Sequence, residues 1–165
     1  MRRTSQTQFY RSNERGFSLI ELMIVVAIIS ILIVIGNVAF QNAQRTANET
    51  AAIKNLQTIA TEQRSFYRLR SEFGTFQQLV EEGLDSRFAP SSGDANAVDN
   101  GYIFRMETTP KSGTQPATFK INADPQQATG IGATGRRFFY TGSDSGSIHV
   151  NLEQPASTED STIRQ

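Results

Sequence analysis

The chain has 165 residues, a formal net charge of zero, 38% hydrophobic residues and no cysteine. That length suits one domain plus an appendage, and the missing thiols exclude disulfide frameworks, thiolate metal sites and thiol catalysis. No basic run with interleaved aromatics follows residue 17, so nucleic acid is not an expected direct partner.

Residues 1–16 carry Arg2, Arg3, Arg11 and Arg15 against Glu14, a net +3 that the remainder balances. Residues 17–40 are then almost wholly apolar, with Glu21 their only charge. A bilayer core takes about 20 apolar residues in a helix, and this block supplies them if Glu21 sits near one membrane face. The upstream arginines place that end in the cytoplasm. A removable secretory signal would have an apolar core of about 7–15 residues and then a small-x-small cut site. The run here is longer, and Gly36-Asn37-Val38-Ala39-Phe40 offers no such site. Arg2-Arg3 is followed by Thr-Ser-Gln-Thr, far from the apolar core, which does not suit a twin-arginine signal.

Arg15-Gly16-Phe17-Ser18-Leu19-Ile20-Glu21 closely resembles the type III signal of type IV prepilins and pseudopilins, and the apolar run after it is similar throughout. The resemblance implies a membrane peptidase that removes residues 1–16 by cutting after Gly16 and methylates the new terminal Phe17. It also implies that Glu21, five places into the mature chain, sets the register between subunits. The implied partners are other copies and pilin-like subunits in a homo-oligomeric helical filament, the prepilin peptidase/methyltransferase, an assembly platform and its ATPase. The implied location is the bacterial inner membrane as a single-pass precursor with a cytoplasmic N-terminus, and then an extracytoplasmic or cell-surface pilus. Val38 stands where many major pilins have Pro, and no cysteine pair closes the C-terminal region.

The charges make this role for Glu21 physically sensible. After cleavage Phe17 would carry an α-amine of reference pKa about 7.7–8.0, largely cationic. Glu21 is four residues on, about 6 Å along a helix axis, where an acid also suits the positive end of the helix dipole. In a bundle of such helices an unpaired carboxylate is costly, and a neighbour's staggered amine removes that cost. The competing reading is a tolerated interfacial charge on a plain anchor.

Beyond residue 40 the spacing predicts that the helix continues. Ala47, Ala51, Ala52, Leu56, Ile59, Ala60, Phe66 and Tyr67 recur at helical intervals, separated by Arg45, Asn48, Glu49, Lys54, Gln57, Glu62 and Arg64. No proline occurs between residues 17 and 89. Residues 17–40 therefore read as a membrane or filament-core half-helix and 41–70 as an amphipathic half that packs on its own domain. Gly36-Asn37 is the weak point, since Gly costs about 1 kcal/mol relative to Ala.

Residues 71–101 read as a connecting region with a short helical turn around 76–82 and a loop over 91–101. Four strand-like runs follow within 102–152. Their inward residues are expected to be Tyr102, Phe104 and Met106; Phe119, Ile121 and Ala123; Phe138 and Tyr140; and Ile148, Val150 and Leu152. Residues 153–165 read as a polar, frayed tail. The expected fold is α+β and type IV pilin-like: a long N-terminal helix, its apolar half protruding, packed on a roughly four-stranded antiparallel sheet.

Other candidate sites are weaker. Residues 130–135 fit G-x-G-x-x-G, but a strand rather than a helix follows, so these glycines read as a loop. Asp94 and Asp99, with Asn96 and Asn100, could offer oxygens to calcium, yet their spacing misses the EF-hand pattern and no metal or cofactor is expected. His149 reads as an outward-facing surface histidine, and Asp144 as a hairpin turn residue. No arrangement of Ser, His and acid suggests hydrolysis, and the aromatics from Phe17 to Phe76 read as core packing. The resemblance therefore implies a non-enzymatic filament subunit. The alternative is a bitopic membrane protein that displays a small ligand-binding domain outside the membrane.

Overall fold

The computed structural model describes residues 16–90 and 95–163. The chain divides into two compact units, Met1–Ala39 and Phe40–Gln165. Helix α1 (Leu19–Arg70) supplies residues to both.

In the first unit every described residue is exposed, including Leu22, Ile29 and Val34. α1 is long and apolar enough here to cross a membrane. Ser30 turns its hydroxyl back onto the Val26 carbonyl, 2.8 Å away, which satisfies the hydroxyl without water. The helix is continuous through Gly36-Asn37.

In the second unit, α1 buries Asn48, Glu49, Ala52, Asn55, Leu56, Ile59, Ala60, Gln63 and Phe66. This 3–4 spacing is the expected stripe, but it is rotated at its start. Ala47 is exposed and Ala51 half-buried, while Asn48 and Glu49 are buried. The reason lies in what faces them: backbone amides and carbonyls of residues 134–137, and the Arg137 guanidinium. Buried polar groups need polar partners, so alanine could not serve there.

Helix α2 (Phe76–Glu81) begins in a reciprocal capping box between Thr75 and Gln78. It drops Phe76 and Leu79 into the core, and a 3₁₀ turn, Ser86–Phe88, adds Phe88. Gln63 is fully buried and fastens the connection between α1 and α2: its side chain donates to the Gly74 carbonyl (2.5 Å) and accepts from the Gly74 amide (3.0 Å).

Among the described residues the sheet has six strands rather than four: β1 (Ala97–Asp99), β2 (Tyr102–Thr109), β3 (Thr118–Pro125), β4 (Phe138–Gly142), β5 (His149–Asn151) and β6 (Ser161–Thr162). They form one antiparallel meander in chain order. The two additions are both edges. β1 arises inside the segment expected to be loop, and β6 inside the segment expected to be a frayed tail. Edge strands of two or three residues are too short to show alternation, so only pairing reveals them.

One face of the sheet presents Phe104, Phe119, Ile121, Ala123 and Phe139 to Leu56, Ile59 and Phe66 of α1 and to Phe76, Leu79 and Phe88. Burying each such large side chain contributes about 1.5–3 kcal/mol. β4 departs from the expected alternation: Phe139 is in this core, opposite Ala123, and Tyr140 lies on the other face, opposite His149 and also buried. β5 departs too. Leu152 is exposed, and His149 is 5% exposed rather than a surface residue. Residues 156–160 cover that outer face, with Asn122 donating to the Ala156 carbonyl (2.8 Å) and His149 Nδ1 lying 2.8 Å from the Asp160 carbonyl.

Candidate processing and assembly site

Gly16, Phe17 and Ser18 are non-helical and exposed, and α1 starts directly after them. Among the described residues nothing lies within 4 Å of where a Gly16 side chain would begin, and Phe17 is 84% exposed. No described residue covers the Gly16–Phe17 bond. Ser18 acts as the helix cap: its carbonyl accepts from the Leu22 amide at 3.2 Å. Glu21 sits at the third helical position, and its Oε2 accepts from the Ser18 amide at 2.9 Å. That bond is the carboxylate half of a capping box and places the acid among the otherwise orphaned amides of the first turn. Gly16, Phe17 and Glu21 thus lie within six consecutive residues, at the start of an exposed apolar helix.

The remaining candidates among the described residues behave as structural residues. Asp94 lies outside the described residues. Asp99 Oδ2 accepts from Asn55 (2.6 Å) and Asn100 (2.7 Å) and has Arg87 at 3.9 Å, so these groups already occupy that oxygen. Among the described residues no group of three or more His, Cys, Asp or Glu could hold a metal ion. The glycines at 130–135 do form a loop, and it docks on α1. Arg45 donates to the Ala133 and Gly130 carbonyls, both at 3.1 Å, and Asn48 to that of Thr134 at 2.8 Å. A side chain at Gly135 would collide with the Tyr102 ring, whose hydroxyl donates to the Arg137 carbonyl (2.9 Å) and is held protonated by burial and by nearby Glu49. Close packing, not phosphate binding, explains that glycine. Of the aromatics, Tyr67 stacks on Phe73 at 4.7 Å and Phe73 meets Phe119 at 4.8 Å.

Sequence reasoning missed Glu49 as a buried tie. Its carboxylate accepts from the Arg136 amide (2.9 Å) and from Arg137 Nε (2.6 Å), joining α1 to the segment that leads into β4. The signal was faint: an acid one place out of phase with the alanines around it.

Comparison with known proteins bears on the N-terminus first. Residues 11–36 match the prokaryotic N-terminal methylation motif. The chain is also 36% identical over 97 residues to the type IV major pilin protein PilA of Myxococcus xanthus (strain DK1622), across 59% of this chain and 39% of that protein. The match thus spans well under half the length of that relative.

Proposed function

We propose, from the premise that this is a type IV pilin-like chain, that it is a structural, non-enzymatic subunit of a type IV pilus or related pseudopilus filament. One observation carries the reading: an exposed Gly16–Phe17 bond directly precedes a capped helix start that holds Glu21, and a fully exposed apolar helix follows. In this reading residues 1–16 are a leader, and hydrolysis of the Gly16–Phe17 bond frees the Phe17 amine for methylation. The apolar half of α1 anchors the precursor in the inner membrane with its N-terminus cytoplasmic. The same half then leaves lipid for a filament core. There Glu21 exchanges its hydrogen bond with Ser18 for the Phe17 amine of a neighbouring copy, which fixes the stagger. Such contacts are heterologous and non-closing, the geometry of a filament. The peptidase, platform and ATPase act on the chain and are not part of it.

Intact mass of the protein purified from cells that hold a prepilin peptidase tests the reading. Loss of residues 1–16 with gain of one methyl group supports it. An uncleaved N-terminus points instead to the bitopic anchor. Glu21→Gln, which keeps the shape and removes the charge, is expected to be processed normally and to give few or no filaments by electron microscopy. Polymerisation equal to that of the unaltered chain would remove Glu21 from the mechanism.

A further inference from the structure

The loop that docks on the start of the second unit presents a feature that its fold role leaves unexplained. Ile131, at its tip, is 91% exposed, although the backbone around it is pinned. Gln127 donates to the Thr129 and Ile131 carbonyls (3.1 and 3.3 Å), its own carbonyl accepts from the Thr134 amide (2.8 Å), and Gly130 and Gly132 take the left-handed φ values (+84° and +88°) that the turn needs. The large apolar side chain is therefore held out in solvent by construction. Beside it an open groove is lined by Arg45, Arg136, Phe138, Leu152 and Glu153, with Leu152 itself 69% exposed. Apolar tips combined with cationic side chains are what an interfacial membrane contact uses.

Connectivity says which surface lies nearby. Arg45 holds this loop through two carbonyls and is five residues past Phe40, about 7.5 Å of helix rise. Phe40 ends the half-helix that the proposed function puts in lipid, so within the second unit the loop is anchored on the part of α1 next to that end. We propose that Ile131 and Leu152 dip into the outer headgroup layer while the subunit is still in the membrane, with the exposed Arg136 against lipid phosphates. The loop thus forms a second, reversible membrane contact that must be released when the subunit enters a filament. The proposal rests on the membrane stage of the function proposed above.

The absence of native cysteine makes the test clean. Ile131→Cys, Ile33→Cys and Gln115→Cys, each in the full chain and each exposed, are spin-labelled and reconstituted at low protein density in phosphatidylethanolamine–phosphatidylglycerol vesicles. Accessibility to oxygen and to a water-soluble nickel complex is then compared. The label at 131 is expected to be shielded from nickel and accessible to oxygen, between the deep label at 33 and the aqueous label at 115. Behaviour at 131 equal to that at 115 overturns the proposal and leaves the membrane stage intact. Shielding at 131 that appears only at high protein density overturns it in favour of contact between copies. A label at 33 exposed to nickel overturns the membrane stage and this inference with it.

Discussion

Glu49 and Gln63 show how much of this structure depends on single polar residues inside a helix stripe. Glu49 satisfies a backbone amide and a guanidinium in a site where its residue is 8% exposed. Replacing it by Ala leaves Arg137 and the Arg136 amide unmatched, at a cost of about 2–4 kcal/mol. The urea midpoint of Glu49→Ala is expected to fall accordingly, and Glu49→Gln is expected to recover part of the loss. Asp160 gives a pH prediction. Hydrogen bonds from the Ser157 amide foremost, then from Asn151 and the Ser157 hydroxyl, with His149 nearby, hold its carboxyl below the ordinary value of 3.8. A depressed folded-state pKa contributes stability that is present above the unfolded value and lost as pH falls through the folded one. Asp124 opposes this, since burial raises its carboxyl more than Arg105 lowers it, and its contribution to stability therefore declines as pH rises above 3.8. Asp160→Asn should flatten the acid limb of a thermal-stability profile below that pH. An unchanged limb would show that Asp160 does not set it.

At the scale of elements, α1 is one helix with two environments, and the change between them is written in its residues. Its later part depends on Leu56 and Ile59, both fully buried against the sheet. Leu56→Ala is expected to cost about 2–5 kcal/mol, whereas Thr58→Ala on the exposed face should stay within about 0.5 kcal/mol. Denaturation followed by circular dichroism separates the two, and similar losses would mean that the helix does not depend on this core. The long helix and the β2–β3 ladder were legible because periodicity and turn residues act locally. The rotation of the stripe at Asn48 and Glu49 was not, because it depends on carbonyls and amides some 86–88 residues away. The inversion within β4 has the same origin. In the run Phe138, Phe139, Tyr140, adjacent aromatics give no alternation to read, and the core takes the one opposite Ala123.

At the scale of the molecule, the C-terminal segment completes the sheet from outside. Deleting residues 154–165 removes the acceptors of Asn122 and His149 and leaves β5 paired on one side only, with β4. The deletion is expected to destabilise the full chain in detergent by about 2–4 kcal/mol, since buried donors would lose their partners. An unchanged midpoint would mean that water satisfies that face equally well. His149 looked like a surface residue because a three-residue strand gives no hint that a later segment returns across it.

The amino-acid sequence alone determined that this chain has a basic start, a lone acid at the head of a membrane-length apolar helix, and an amphipathic continuation followed by strands. Each of these is a local property of neighbouring residues, as is the likeness of residues 15–21 to a prepilin processing signal. Only the tertiary structure decided which polar residues go inside, how many strands the sheet has and what covers its outer face. Those outcomes depend on hydrogen-bond partners distant in the chain, and a buried polar group is stable only where the fold brings such a partner to it.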